Sequence, residues 1–245
     1  MVLVHGVLWE RDAAVIALPG EVRTVTAGPL VALVSDAPER EMTGDDAVAH
    51  LDLLVAAVTE APVLPFALGT AVPDDEAARE EVLLPDADDL ARRLEAVADV
   101  VELRLDLTFD TDASVAAIAG RDPDVHRLVE RARGPRAGLA ERLALGEATA
   151  MRVTEHQAAL AEEWTEGLLA VAEQAVLLHS DEQLRRTAYL VRRDRIDDAD
   201  AAVERLRARA QGLAEIEYVG PLPVFSFLDD LSSGPEPEPR SNWGW

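Results

Sequence analysis

Between Gly138 and Leu178 the residues Leu139, Leu143, Ala150, Val153, Leu160, Trp164, Leu168, Val171, Ala175 and Leu178 recur in steps of three and four, with two gaps. That spacing is one face of an α-helix. Gly146 and Gln157 fill the gaps and add little grip, while Glu141, Arg142, Glu147, Arg152, Glu155, Glu162, Glu163 and Glu166 take the other side. Gly134-Pro135 marks the start, and no proline interrupts the stretch from Gly138 to Leu178. About forty residues rising about 1.5 Å each predict a rod of about 60 Å, which Gly146 or Gly167 could kink into two helices. Such a rod cannot bury its stripe alone, so elements before and after it in the chain must cover it.

The flanking sequence supplies strands. Val2–Leu8 is a short apolar run read as a buried strand, and the extended runs Val22–Thr26 and Leu30–Ser35 flank Ala27-Gly28-Pro29 as a hairpin. Thr43–Asp46 opens a helix that continues through Ala47–Glu60. Val63–Leu68 returns as a strand, with Pro65 confining it to an edge or a bulge. Residues 74–89 are acidic helix faces, and Leu90, Leu94 and Val97 carry a helix on to Asp99. Val101, Leu103, Leu105, Leu107 and Phe109 alternate with Glu102, Arg104, Asp106 and Thr108, predicting a strand with one face on a core and the other wet. Residues 111–133 read as short helical pieces, Arg185–Arg193 as a strand and Asp197–Gln211 as a helix, and Ile216–Val219 opens a final strand.

The expected fold class is therefore α+β, in two domains of antiparallel sheet covered by helices. Residues 1–99 form the first, residues 100–228 the second with the long helix inside it, and residues 229–245 are an acidic, Pro-rich tail expected to be disordered. In the closing stretch Gly220–Phe227, Pro221 and Pro223 cannot donate to a ladder, so the chain should leave the sheet as a strap. Phe225 or Phe227 should then anchor it in the core of the second domain.

Composition removes whole classes of chemistry. Cysteine is absent, which excludes disulfides, thiolate metal sites and cysteine nucleophiles and fits a reducing cytosol. All 23 basic residues are arginine, so a Walker-type phosphate loop, a Schiff base and a Ser–Lys dyad have no lysine to use. A net charge of −24 repels nucleic acid and anionic membranes, and no apolar run approaches a membrane span. Residues 1–10 lack the basic and apolar regions of a signal peptide.

The motifs that remain are weak. His156 beside Glu155, with Glu162 and Glu163 further along the helix, is the best metal candidate, but a solvated polar face explains it as well. Asp106, Asp110 and Asp112 resemble part of a calcium loop without its glycine or terminal glutamate, and read better as a strand end and helix cap. The arginines at 185, 186, 192, 193, 195, 205, 207 and 209 lie among acids, so internal ion pairing is expected before an acidic docking partner. Trp164 belongs to the core, whereas Trp243 and Trp245 sit in a polar tail that gives them nothing to pack on and are candidate anchors for another protein. GxGxxG and GxSxG are both absent, and no cofactor is expected.

Four segments together resemble one family, the gas vesicle proteins GvpF and GvpL. Gly28–Pro38 looks like its early strand and turn, and Val63-Leu-Pro-Phe-Ala-Leu-Gly-Thr70 like its Pro-x-x-x-Gly-Thr segment. Val101–Leu105 is similar to the strand opening its second domain, and Gly220-Pro-Leu-Pro-Val-Phe-Ser-Phe227 to its closing motif. Ala67 and Leu68 replace an arginine and an aromatic ahead of Gly-Thr, and Leu103 and Leu222 stand where tryptophans are usual. The resemblance implies ferredoxin-like sheets and a non-enzymatic accessory protein of gas vesicle assembly. It also implies contact with the hydrophobic shell protein GvpA and other gas vesicle proteins, near the gas-facing surface or in the cytoplasm. It marks Pro65, Gly69 and Thr70 as candidate partner-binding residues beside Trp243 and Trp245. The competing expectation is an enzyme that uses carboxylates and arginines in an interdomain cleft.

Overall fold

Val2–Trp9 (β1) is apolar at nearly every position, and in the computed structural model it lies inside a sheet with only Trp9 partly exposed. The structure describes residues 1–120, 123–134, 138–181 and 183–228. After a single turn at Glu10–Ala13 (α1), Val22–Ala27 (β2) and Leu30–Asp36 (β3) form an antiparallel hairpin. Gly28 and Pro29 make its turn, where Gly28 has φ of 59°. Positive φ at the first central residue is what a two-residue hairpin turn of the II′ kind needs. Gly44–Glu60 (α2) begins where the Asp46 carboxylate accepts the Thr43 N–H at 2.7 Å, and it buries His50, Leu53, Leu54, Ala57 and Val58. The strand expected over Val63–Leu68 is shorter, only Leu64–Pro65 (β4), followed by Ala71–Val72 (β5). Both pair with β1, so the sheet order is β2-β3-β1-β4 with β5 beside β4 on the same neighbour. Asp75–Ala77 (α3) runs into a wide turn over Ala78–Leu83, and Ala87–Ala96 (α4) comes next, burying Leu90 and Leu94.

The described chain divides into two compact units: residues 1–102 with 220–228, and residues 103–219. The second holds an antiparallel sheet in the order β7-β8-β6-β9, built from Val100–Phe109 (β6), Gln174–Ser180 (β7), Leu184–Arg192 (β8) and Ala214–Leu222 (β9). The unit boundary falls inside β6 and β9. Its helices are Thr111–Ala119 (α5), Pro123–Arg133 (α6), Leu139–Leu169 (α7) and Ile196–Ala210 (α8). Trp164 of α7 stacks on Phe109 at 5.7 Å between ring centres, and Ala199, Ala202, Val203 and Leu206 of α8 are buried.

Three expectations are corrected. The long helix ends at Leu169 rather than near Leu178, and its last stripe residues, Ala175 and Leu178, belong to β7. A short apolar run such as Val176-Leu177-Leu178 fits either period, and pairing with β8 decides it. Cover is also uneven: Val153, Trp164 and Leu168 are buried, while Leu139 and Leu143 are exposed. The polar face of β6 is wet only in part: Thr108 is exposed and Arg104 half-buried, but Glu102 and Asp106 are both buried. Arg186 grips Asp106 with guanidinium bonds of 2.5 to 2.9 Å, and Glu102 accepts the Ser226 N–H at 2.8 Å and its hydroxyl at 3.0 Å. That second contact holds the closing segment. Phe227 there is fully buried, Phe225 is half-buried, and both lie in the first compact unit although their place in the sequence pointed to the second.

Candidate functional site

Pro65, Gly69 and Thr70 come together in one tight turn between β4 and β5. Gly6 of β1 lets the turn approach: a Cβ there would lie 2.8 Å from the Leu64 carbonyl oxygen and 3.1 Å from a Leu54 methyl. With that space empty, Pro65 pairs with Gly6 and is buried. The turn is then tied at both ends, by Phe66 N–H to the His5 carbonyl at 2.9 Å and Val4 N–H to the Thr70 carbonyl at 2.9 Å. Inside it the Thr70 N–H and hydroxyl both donate to the Ala67 carbonyl, at 3.1 and 2.8 Å. Gly69 takes φ of 87°, a conformation that favours glycine. The three residues therefore act as turn-makers, and the side chains that project are Ala67 and Leu68, both exposed. Trp243 and Trp245 lie outside the described residues.

Beneath the turn runs a buried polar chain that the sequence pattern did not single out. A β-bulge in β1 at His5 aims its ring at Ser35 on one side and His50 on the other. The Phe66 carbonyl can only accept, so His50 Nε2 carries the proton and donates to it at 3.2 Å. With His50 neutral, its Nδ1 accepts from His5 Nδ1 at 2.8 Å, and His5 Nε2 then accepts from the Ser35 hydroxyl at 2.8 Å. Both rings are neutral in this arrangement. Burial, and then the neighbouring His50, bring the His5 pKa down to about 4, and burial also lowers that of His50. The signal was present in the sequence: a histidine inside an otherwise apolar strand, and another at helical spacing on the buried face of a helix, each needing a partner.

The other candidates resolve as structural. Asp110 caps α5 through the Ala113 N–H at 2.8 Å, and Asp106 is taken by Arg186. In the arginine-rich region Arg192 meets Asp194, Arg195 meets Asp198, Arg207 meets Glu204 and Arg209 approaches Glu163. Gln157, assigned little grip, is buried and donates to Ser114 at 3.1 Å, pinning α7 to α5. Among the described residues no three histidine, aspartate or glutamate side chains converge as metal ligands, around His156 or elsewhere. An open groove of about 330 Å³ between α7 and α8 is lined by Trp164, Gly167, Ala202 and Leu206 together with Glu166, Arg205 and Arg209. Nothing in it pairs an acid and a base on a reacting position.

Comparison with known proteins agrees with the resemblance carried by the four segments. The sequence profile of the family described as gas vesicle synthesis protein GvpL/GvpF matches residues 4–229. Gas vesicle protein F of Streptomyces sp. (strain CB03234) is 33% identical over 228 residues, which are 92% of this chain and 95% of that protein. The crystal structure of GvpF from Anabaena sp. PCC7120 superposes with a TM-score of 0.77 at 15% identity, covering 93% of this chain and 97% of that one. GvpF from Microcystis aeruginosa does so with a TM-score of 0.69 at 14% identity, covering 93% and 98%. The two crystal structures establish the shared α+β fold, and the profile and the Streptomyces relative establish kinship. From its first strand to its closing segment, this chain belongs to the GvpL/GvpF family of gas vesicle synthesis proteins.

Proposed function

We propose that this chain is a non-enzymatic assembly factor or minor component of the gas vesicle, that it binds the hydrophobic shell protein GvpA, and that it works in the cytoplasm and at the gas-facing surface. The observation that carries the reading is the family match over residues 4–229. The turn at residues 65–70 offers one contact, with Pro65, Gly69 and Thr70 setting its shape and Leu68 presenting an apolar side chain to a partner. Trp243 and Trp245 offer a second. A chain of net charge −24 stays soluble while it handles a partner prone to aggregate. Deleting the gene from a strain without a paralogue should abolish or deform gas vesicles and leave growth unchanged. A pull-down against the panel of gas vesicle proteins should recover the shell protein. Normal vesicles in that strain would sink the proposal.

A further inference from the structure

β7 (Gln174–Ser180) ends its sheet: among the described residues it pairs only with β8. Six of its seven residues are exposed, so neither face is covered, and Leu177 and Leu178 are 49% and 38% exposed. The adjoining strand is different, with Ala188, Tyr189, Leu190 and Val191 of β8 all buried. An edge strand presents a row of unpaired N–H and C=O groups, and proteins usually blunt it with charge or proline. Between Gln174 and Leu178 there is neither. The one irregularity is a bulge at Leu178, where the register passes from Leu177↔Thr187 to His179↔Arg186. That leaves Gln174–Leu177 as a regular ladder whose other side has no strand partner among the described residues.

These features define what fits. Unpaired backbone groups in a row select an extended chain. Apolar side chains on the edge, with no charge among them, disfavour a charged segment, because burying a charge against Leu177 and Leu178 leaves it without a partner. A second copy of this chain is disfavoured by repulsion between two molecules that each carry −24. What remains is an uncharged, apolar, β-forming segment of a different protein. We propose that the edge of β7 at Gln174–Leu178 binds such a segment as an added strand, and that the shell protein supplies it. The naming of the supplier rests on the function proposed above.

The test uses the full chain with purified shell protein. Binding should slow amide exchange at residues 174–178. The double variant Leu177→Lys/Leu178→Lys should bind roughly tenfold more weakly or worse, with its melting temperature unchanged because both side chains are exposed. If the double variant melts lower, Leu178→Lys alone, at the bulge and outside the ladder, carries the same expectation. Shell protein binding that leaves residues 174–178 unprotected and the variants at full affinity overturns the edge while the proposed function stands. If the wild-type chain does not bind the shell protein at all, both fall. Self-association by sedimentation, lost in the variant, would give the edge to a second copy and also overturn the proposal.

Discussion

His5 and His50 meet nitrogen to nitrogen at 2.8 Å, and the directions of the hydrogen bonds around them follow from two facts, that the Phe66 carbonyl cannot donate and that burial keeps both rings neutral. Adding a proton to the pair turns the Ser35 hydroxyl from donor to acceptor and, more costly, places a positive charge in a buried site. The folded protein therefore holds both rings neutral, while an unfolded histidine takes up a proton near pH 6.5. For a group whose folded pKa is depressed, stability is fully present above the unfolded value and is lost as pH falls toward the folded one, here from 6.5 toward about 4. One pH unit below the ordinary histidine value, a ring that stays neutral costs about 1.4 kcal/mol. Urea midpoints should therefore fall between pH 7 and 5.5, before most carboxylates titrate. The slope should flatten in His50→Gln, where one titrating ring is gone. A wild-type midpoint that is constant over this range would show that the rings are not held neutral.

The elements set apart what the sequence discloses from what it hides. β6 was legible because Val101, Leu103, Leu105, Leu107 and Phe109 alternate without a break, and its boundaries hold to within a residue. The hairpin at Gly28-Pro29, the cap at Thr43 and the separate helices before and after Gly120 were legible for the same reason, since each carries its own local chemistry. Non-local partners were not legible. No spacing rule announces that Arg186 lies beside Asp106, or that Ser226 reaches Glu102 from more than a hundred residues away. The alternation in β6 consequently hides the burial of Glu102 and Asp106, though not the exposure of Thr108, and the helical spacing runs on through residues that the ladder with β8 claims as strand. At the site, Pro65, Gly69 and Thr70 were visible as a motif, whereas the histidine pair beneath them needed the fold to bring β1 and α2 together. The closing segment combines both cases. Its strap-like character was readable from Pro221 and Pro223, but not which unit it would pin. Because Phe227 is fully buried and Phe225 only half, Phe227→Ala should cost about 3–5 kcal/mol and Phe225→Ala clearly less. Urea melts of the two variants measure this, and an unchanged midpoint in Phe227→Ala would mean that its ring is not a core anchor.

At the scale of the whole molecule the governing number is the charge. With 47 acids and 23 arginines, 24 carboxylates are left over even if each arginine takes one. The ion pairs that do form are mostly local and solvent-exposed, such as Arg40 with Asp46, Arg92 with Asp89 and Arg195 with Asp198. Pairs of this kind contribute between nothing and about 1 kcal/mol each. Asp106 with Arg186 is more sheltered on its acidic side and less open to screening. The excess negative charge, by contrast, repels itself across the molecular surface and opposes the folded state at every separation the solvent does not screen. Salt acts on both terms with opposite sign. It weakens exposed pairs, which are worth little, and it shortens the reach of the net repulsion from about 30 Å at 0.01 M to about 8 Å at 0.15 M. The second effect should win, so the melting temperature should rise by a few degrees as sodium chloride increases over that range. Chloride is the better anion for the test, because sulfate strengthens apolar burial on its own account. Calorimetric scans at fixed pH 7.5 keep the histidine pair out of the measurement. A melting temperature that falls with added salt would mean that the exposed ion pairs, and not the surplus carboxylates, dominate the electrostatics of this protein.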